Sequence, residues 1–217
     1  LGMVRLSVID LVSGRQPITD ERGRYQLIFN GEVYNYVTLR EQLEANGHHF
    51  ATRSDTEVIV HLYEERQERC VEVLNGDFAF AIWDTVEKRL FLARDRLGVK
   101  PLYYWHVGEQ LAFASELKAL LQVPGVSREL DDAALDAYLT CLYIPAPQTI
   151  FRQVRKLPPG CWLTWTNGTV HVERYWRLPP PRVKSVRRDE AASAILHQLK
   201  EAVRRRLMSD VPLGAFL

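Results

Sequence analysis

Long apolar runs are missing from this sequence of 217 residues. No stretch approaches the roughly 20 residues that a membrane-spanning helix needs. The first residues also lack the basic start, continuous apolar block and small-residue cleavage site of a secretory leader. Cysteine is scarce, and Cys70, Cys141 and Cys161 stand far apart. Their spacing gives neither a disulfide framework nor a zinc pattern, so no metal is expected. A reducing cytoplasm is the expected compartment. An excess of one charge is lacking too. With 28 basic and 27 acidic residues the formal charge is +1, which leaves no electrostatic footprint for nucleic acid or an anionic membrane. No initiating methionine opens the chain and it stops on the apolar stretch 213–217, so both ends read as cuts in a longer protein.

What is present is an ordinary globular composition, 47% hydrophobic and 25% charged, enough for a real core. Residues 25–29 read as a buried strand running into Asn30-Gly31, a turn dipeptide. Val37, Leu39 and Leu43 lie on one face of a helix over 37–46, with Gly47 as its stop. Ser54-Asp55-Thr56-Glu57 fits a capping box opening a second helix whose Val58, Ile59, Leu62 and Tyr63 share a side. A short helix follows over 69–74. Residues 78–83, 90–93, 102–105 and 111–114 are then short β-type runs, as in an antiparallel sheet. Phe78-Ala79-Phe80-Ala81 alternates large and small, as stacked sheets require. Helices are expected over 115–121 and 131–142. A hairpin over 161–176 turns at Asn167-Gly168, the type I′ pair. The proline triplet Pro179-Pro180-Pro181 marks a boundary, with a semi-rigid linker over 179–188. Beyond it, 189–209 is amphipathic, with Ile195, Leu196, Leu199, Val203 and Leu207 on a stripe, and 211–217 reads as the first strand of a new α/β unit.

Asn30-Gly31-Glu32 carries the strongest chemical signal. A side-chain amide followed by a glycine can aim two N–H donors at one developing negative oxygen, the geometry of an oxyanion hole. The plainer alternative is that Asn-Gly only makes a turn. Arg94 and Asp95, at the end of another strand, read as a simple salt bridge.

Several motifs occur in order along the chain: Arg5-Leu6-Ser7-Val8-Ile9-Asp10, then Asn30-Gly31-Glu32-Val33-Tyr34-Asn35, then Ser54-Asp55-Thr56-Glu57. After them come Arg94-Asp95-Arg96-Leu97-Gly98-Val99-Lys100-Pro101-Leu102-Tyr103-Tyr104 and Phe113-Ala114-Ser115-Glu116-Leu117-Lys118. Leu157-Pro158-Pro159-Gly160 and the closing Ser209-Asp210-Val211-Pro212-Leu213-Gly214-Ala215-Phe216-Leu217 complete the set. Together they resemble the glutaminase domain of class II glutamine amidotransferases, specifically the glutamine-hydrolysing asparagine synthetases. The resemblance implies an α+β fold of the Ntn-hydrolase type, an αββα sandwich of two antiparallel sheets over 1–178. Residues 189–217 would begin an α/β ATP-pyrophosphatase-type synthetase domain.

By the same resemblance, Arg5 binds the glutamine α-carboxylate and Asp55 the α-ammonium. Leu6, Ser7, Val8 and Ile9 line the substrate edge. Asn30 and Gly31 form the oxyanion hole, Glu32 is a carboxylate beside the substrate, and the 94–104 motif builds sheet core and the face toward the synthetase domain. Phe216 and Leu217 would sit beside a nucleotide. The parent enzyme would use ATP and Mg²⁺ to activate a carboxylate, L-aspartate or another acceptor such as a sugar acid, a peptide or a lactam-forming substrate. Ammonia from L-glutamine would then attack it. None of these cofactors is expected on this piece. A homodimer is one assembly the family allows.

The sequence departs from the family pattern in respects that bear on activity: the N-terminal Cys-Gly-Ile segment, the His-Arg-Gly-Pro stretch that follows it and the Ser-Gly-Gly-x-Asp-Ser loop that cradles pyrophosphate are expected to lie outside this piece. The family nucleophile is an N-terminal cysteine whose own amino group serves as base. Cys70, Cys141 and Cys161 do not occupy that position and read as small buried hydrophobes. The piece alone is therefore expected to be inactive on glutamine, and a non-catalytic glutamine-binding remnant stays open as an alternative.

Overall fold

The computed structural model describes residues 1–4, 9–181 and 186–214. Arg5, Leu6, Ser7 and Val8 lie outside these, as do Phe216 and Leu217. In chain order the elements are β1 (Ile18–Thr19), β2 (Tyr25–Val33), α1 (Tyr36–Ala45), α2 (Glu57–Arg66) and, after a 3-10 turn, α3 (Cys70–Val73). Then come β3 (Gly76–Asp84), β4 (Arg89–Arg94), β5 (Tyr103–Val107), β6 (Gln110–Ala114), α4 (Leu117–Leu120) and α5 (Asp132–Cys141). The last elements are β7 (Val154–Lys156), β8 (Cys161–Thr166), β9 (Thr169–Arg174) and α6 (Arg188–Arg206).

Two sheets result. One has six strands in the order β1-β2-β3-β4-β8-β9, the other three in the order β6-β5-β7, and every pairing is antiparallel. The alternation in β3 shows how they stack. Phe78, Phe80 and Ile82 pack with Leu27, Phe29 and Phe91 against the helices, while Ala79, Ala81 and Trp83 face the second sheet. Side chains on a strand alternate between faces, so a large/small repeat puts bulk under the helices and lets the sheets approach. On the helix side, Tyr63 of α2 stacks on Phe91 at 5.1 Å between ring centroids and meets Tyr25 edge-on at 5.2 Å. On the far side of the small sheet, Trp105 and Val154 pack with Leu117 and Leu120. The layers are therefore helix, sheet, sheet, helix, as expected from the resemblance.

Several local expectations change. Asn30 and Gly31 make no turn; they pair with Ala79 and Phe78 inside a nine-pair ladder between β2 and β3. A ladder of that length outweighs a dipeptide's turn preference. Val37 is 49% exposed, so Leu39 and Leu43 anchor α1, with the partly buried Tyr36 packed beside them. The helix does stop at Gly47, with φ +95. The Gly47 N–H donates to Glu44 and the His48 N–H to Leu43, a Schellman closure. Glu57 folds back, but not to Ser54: its carboxylate accepts from the N–H groups of Ala51 and Thr52 at 2.7 Å each.

The second helix is buried all round from Glu57 to Tyr63 rather than on one side, because it lies beneath the 48–54 loop as well as on the sheet. The short β7 carries Arg155 and Lys156 and shows no apolar alternation, so the sequence does not flag it. β9 ends at Arg174 rather than at Trp176, because the N–H groups of Tyr175 and Trp176 both turn to the Gly160 carbonyl. Cys141 is exposed, unlike Cys70 and Cys161. On α6 the apolar stripe is solvent-facing, with Ile195 and Leu199 more than half exposed. No strand forms over 211–214, the described part of the expected last strand.

Candidate active site

β2 and the N-terminus of α2 converge on a small cavity of about 150 Å³. Asn30, Gly31 and Glu32 line it from β2, Asp55 and Thr56 from the approach to α2, and Ile9 from the segment before β1. Five of the expected residues thus share one pocket although they are spread over 47 positions (9 to 55) in the sequence. Drug-sized ligands occupy roughly 300–1,000 Å³, so this mostly polar cavity suits a small polar molecule.

Each of these groups is held by the fold. Asp55 is buried, and its Oδ2 accepts the Val33 N–H at 2.8 Å, which ties the head of α2 to the end of β2. Asp10 carries Ile9 into place: its carboxylate accepts from the N–H of Ser13 at 2.8 Å, the N–H of Arg53 at 2.9 Å and the Ser13 hydroxyl. Burial alone would raise the Asp10 carboxyl, but these hydrogen bonds more than offset it and bring its pKa down to about 2. Burial would likewise raise Glu57, yet His61 beside it and the hydrogen bonds from Thr52 and Ala51 hold it below the usual carboxylate range. The anionic Glu57 thus organises the loop that leads to Asp55.

Gly31 has a requirement of its own. Its φ is +155, and a Cβ placed there would stand 2.1 Å from the Asp77 carbonyl oxygen and 2.8 Å from the Phe78 Cα. Gly76, two pairs along, faces the same problem from the opposite strand, 2.2 Å from the Glu32 carbonyl oxygen. Two glycines on facing strands let the backbones close up where the pocket begins.

Four lining residues were given no role in the sequence, Met3, Val4, Gln16 and Lys100. Gln16 accepts the Phe29 N–H through Oε1 at 2.6 Å, so it is fixed by the strand it borders. Lys100 belongs to the 94–104 motif. Arg94 and Asp95 do not form a salt bridge with each other; both bind the loop backbone. Arg94 donates to the carbonyls of Lys100, Leu157 and Gly98 at 2.7–2.8 Å. Asp95, 1% exposed, accepts the N–H groups of Phe78, Leu97, Val99 and Lys100 at 3.0–3.2 Å. The motif therefore shapes a loop that presents Lys100 to the cavity. An Arg-Asp dipeptide at a strand end followed by Gly98 was the available signal.

None of the cysteines lines the cavity. Cys70 is fully buried in α3 and Cys161 lies between the sheets, and burial pushes both thiols up. Beside the cavity, and sharing Phe29 and Asn30 with it, a cleft of about 690 Å³ runs between the sheets along Ile28, Ala79, Ala81 and Phe113.

Comparison with known proteins decides the family. A family model for the glutamine amidotransferase domain matches residues 1–176. This chain belongs to the glutamine amidotransferase domain family. Among curated proteins, asparagine synthetase [glutamine-hydrolyzing] 3 of Bacillus subtilis (strain 168) is 40% identical over 219 residues, covering 100% of this chain and 36% of the relative. Its paralogue, asparagine synthetase [glutamine-hydrolyzing] 1, is 39% identical, with 100% and 34% covered. The amidase chry2 of Gibberella zeae is 37% identical, with 100% and 32% covered. The chain thus spans about a third of the length of these relatives.

Among solved structures, the glutamine phosphoribosylpyrophosphate amidotransferase of B. subtilis complexed with ADP and GMP superposes with a TM-score of 0.50 at 23% identity, over 74% of this chain and 32% of that one. The structure described as the allosteric regulatory enzyme of purine biosynthesis gives 0.51 at 24%, over 74% and 31%. At those identities the two structures speak for the fold alone, and they share the amidotransferase sandwich described above. No helix among the described residues is long and apolar enough to cross a membrane.

Proposed function

We propose that the cavity is an L-glutamine site and that this domain supplies ammonia to a glutamine-dependent asparagine synthetase. The observation that carries it is the meeting of Ile9, Asn30, Gly31, Glu32 and Asp55 in one amino-acid-sized pocket of a glutamine amidotransferase domain. Asp55 would hold the α-ammonium of glutamine and Arg5 the α-carboxylate, as a planar guanidinium does well. Leu6, Ser7 and Val8 would continue the edge that Ile9 begins. The Asn30 side-chain amide and the Gly31 N–H would receive the negative oxygen that forms when the side-chain carbonyl is attacked.

Attack requires a thiol that Cys70, Cys141 and Cys161 are not placed to give, so it must come from outside these residues. Water would then release glutamate, and the ammonia set free would leave along the apolar cleft beside Asn30, which suits an uncharged molecule. In the whole enzyme, ATP and Mg²⁺ would activate L-aspartate as an acyl-adenylate with loss of diphosphate. Ammonia would displace AMP to give asparagine. Phe216 and Leu217 lie outside the described residues, and no described residue is assigned to the nucleotide. Residues 189–217 would open that second domain after the 179–188 linker. Three free cysteines suit a reducing cytoplasm. The similarity to an amidase over the same span keeps another carboxylate acceptor as a second reading.

Asp55→Ala in the protein at the length of its relatives tests the assignment. Loss of a charged hydrogen bond costs about 1.5–3 kcal/mol, so glutamine-dependent synthesis should lose roughly 10–150-fold in kcat/KM. Synthesis driven by added ammonium chloride should stay within about twofold of wild type. Equal loss of both rates would refute the role given to Asp55.

A further inference from the structure

Away from the cavity, the loop after α1 and the side of α2 bring three metal-ligating groups together. One ligand atom each from His48, His61 and Glu64 lie within 4.8 Å of one another. The Schellman closure at Gly47 turns the chain so that His48 meets α2. His61 and Glu64, three residues apart on that helix, project from one face. His48 Nδ1 stands 3.1 Å from His61 Nδ1 and 3.7 Å from Glu64 Oε2.

The outer nitrogens of the two rings decide what this contact is. His48 Nε2 faces Glu65 Oε1 at 3.3 Å, and that oxygen is itself held by Asn46 Nδ2 at 2.8 Å. His61, 1% exposed, directs Nε2 toward Glu57 Oε1 at 3.7 Å and makes no hydrogen bond there. A carboxylate beside one nitrogen of a neutral imidazole draws the ring proton to that nitrogen. When both protons sit on the outer side, two Nδ1 lone pairs face each other across 3.1 Å, and a cation between them makes that contact favourable, as a single shared ring proton would in the metal-free site. A zinc–nitrogen bond of 2.0–2.1 Å puts tetrahedral ligands about 3.3–3.4 Å apart. The separations of 3.1 and 3.7 Å lie on either side of that value.

We propose that His48, His61 and Glu64 bind a divalent cation of the zinc type, with the Glu57 and Glu65 carboxylates standing beside the outer nitrogens of the two imidazoles. Three protein ligands leave the fourth tetrahedral position to water, and the partly exposed His48 and Glu64 side chains give the ion a way in. The ion would clip the loop after α1 to α2. Because Glu57 also holds Ala51 and Thr52, the clip would brace the backbone that leads to Asp55 without touching glutamine. The sequence gives no hint of this, since the three ligands come from a loop and a helix at a spacing unlike a zinc finger.

The test is titration of the full chain with zinc chloride in metal-free buffer at pH 7.5, read by calorimetry against a competing chelator. Cobalt(II) serves as a spectroscopic substitute. One equivalent should bind with a dissociation constant of about 1 µM or tighter, and cobalt should give the intense visible bands of a four-coordinate site. Binding should weaken at least tenfold in Glu64→Gln and disappear in His48→Gln, while His171→Gln leaves it unchanged. Glu64 sits at the helix surface, so that variant keeps the test open should His48→Gln unfold. Absence of binding in the wild type would overturn the proposal in favour of a single proton shared by the two rings. Wild-type affinity in both His48→Gln and Glu64→Gln would overturn it as well.

Discussion

Replacing Gly31 with alanine is expected to destabilise the chain by about 3–5 kcal/mol, one of the largest effects of any single substitution proposed for it. Two costs combine. A φ of +155 is open to glycine and strained for any residue with a Cβ. The added carbon would also lie 2.1 Å from the Asp77 carbonyl oxygen and 2.8 Å from the Phe78 Cα, both backbone atoms in the middle of a sheet. Neither can swing aside as a flexible side chain would. Relief must come from separating β2 from β3, which moves Asn30 and Glu32 and opens the cavity.

At roughly 2–4 °C per kcal/mol for a domain of this size, the melting temperature should fall by about 6–20 °C. Gly76→Ala should behave similarly, since its Cβ would stand 2.2 Å from the Glu32 carbonyl oxygen. Gly23→Ala is the control. Its φ is +66 but nothing lies within 4 Å, so only the left-handed penalty of about 1–2 kcal/mol remains. Chemical denaturation of the three variants checks the order; Gly31→Ala no worse than Gly23→Ala would contradict it.

Asp95→Ala should cost a comparable amount, about 3–5 kcal/mol, for an electrostatic rather than a steric reason. Four backbone N–H groups converge on this one buried carboxylate. A buried donor left without an acceptor costs about 1–3 kcal/mol, and the total falls short of four such penalties because the loop can relax toward water. Asp95→Asn keeps one acceptor oxygen but turns an NH₂ toward N–H donors, so an intermediate loss is expected. The exposed pair of Glu116 and Lys118 offers a contrast. Its loss in Glu116→Ala should leave the unfolding midpoint close to that of the wild type, because solvent screens the pair. Urea unfolding of Asp95→Ala, Asp95→Asn and Glu116→Ala gives the comparison. An Asp95→Ala loss below 1 kcal/mol would mean that the loop does not depend on the carboxylate.

These two residues also show what could be read before the fold was known. Period-two alternation in Phe78-Ala79-Phe80-Ala81 was enough to expect stacked sheets, because that pattern reports which face is crowded. Asn167-Gly168 was legible as a hairpin turn, and φ values of +49 and +78 bear that out. The identical dipeptide at Asn30-Gly31 sits inside a ladder instead, because a partner strand, whose Ala79 lies 49 residues beyond Asn30, claims its backbone. Local chemistry could not separate the two cases. Asp95 and Arg94 looked like a mutual pair for the same reason: their real partners are backbone groups of a loop that exists only once β4, β5 and β8 are in place. Of the pocket, Asn30, Gly31, Glu32, Asp55 and Ile9 were picked out by resemblance, whereas Gln16 and Lys100 reach it only through tertiary contacts.

The most direct test of the glutamine site is to follow backbone and side-chain amide resonances of the chain while L-glutamine is added. The resonances of Gly31, of the Asn30 side-chain amide and of Asp55 should shift saturably, D-glutamine should leave them in place, and Asp55→Ala should abolish the response. Shifts that map away from β2 and the head of α2, or an undiminished response in Asp55→Ala, would contradict the assignment.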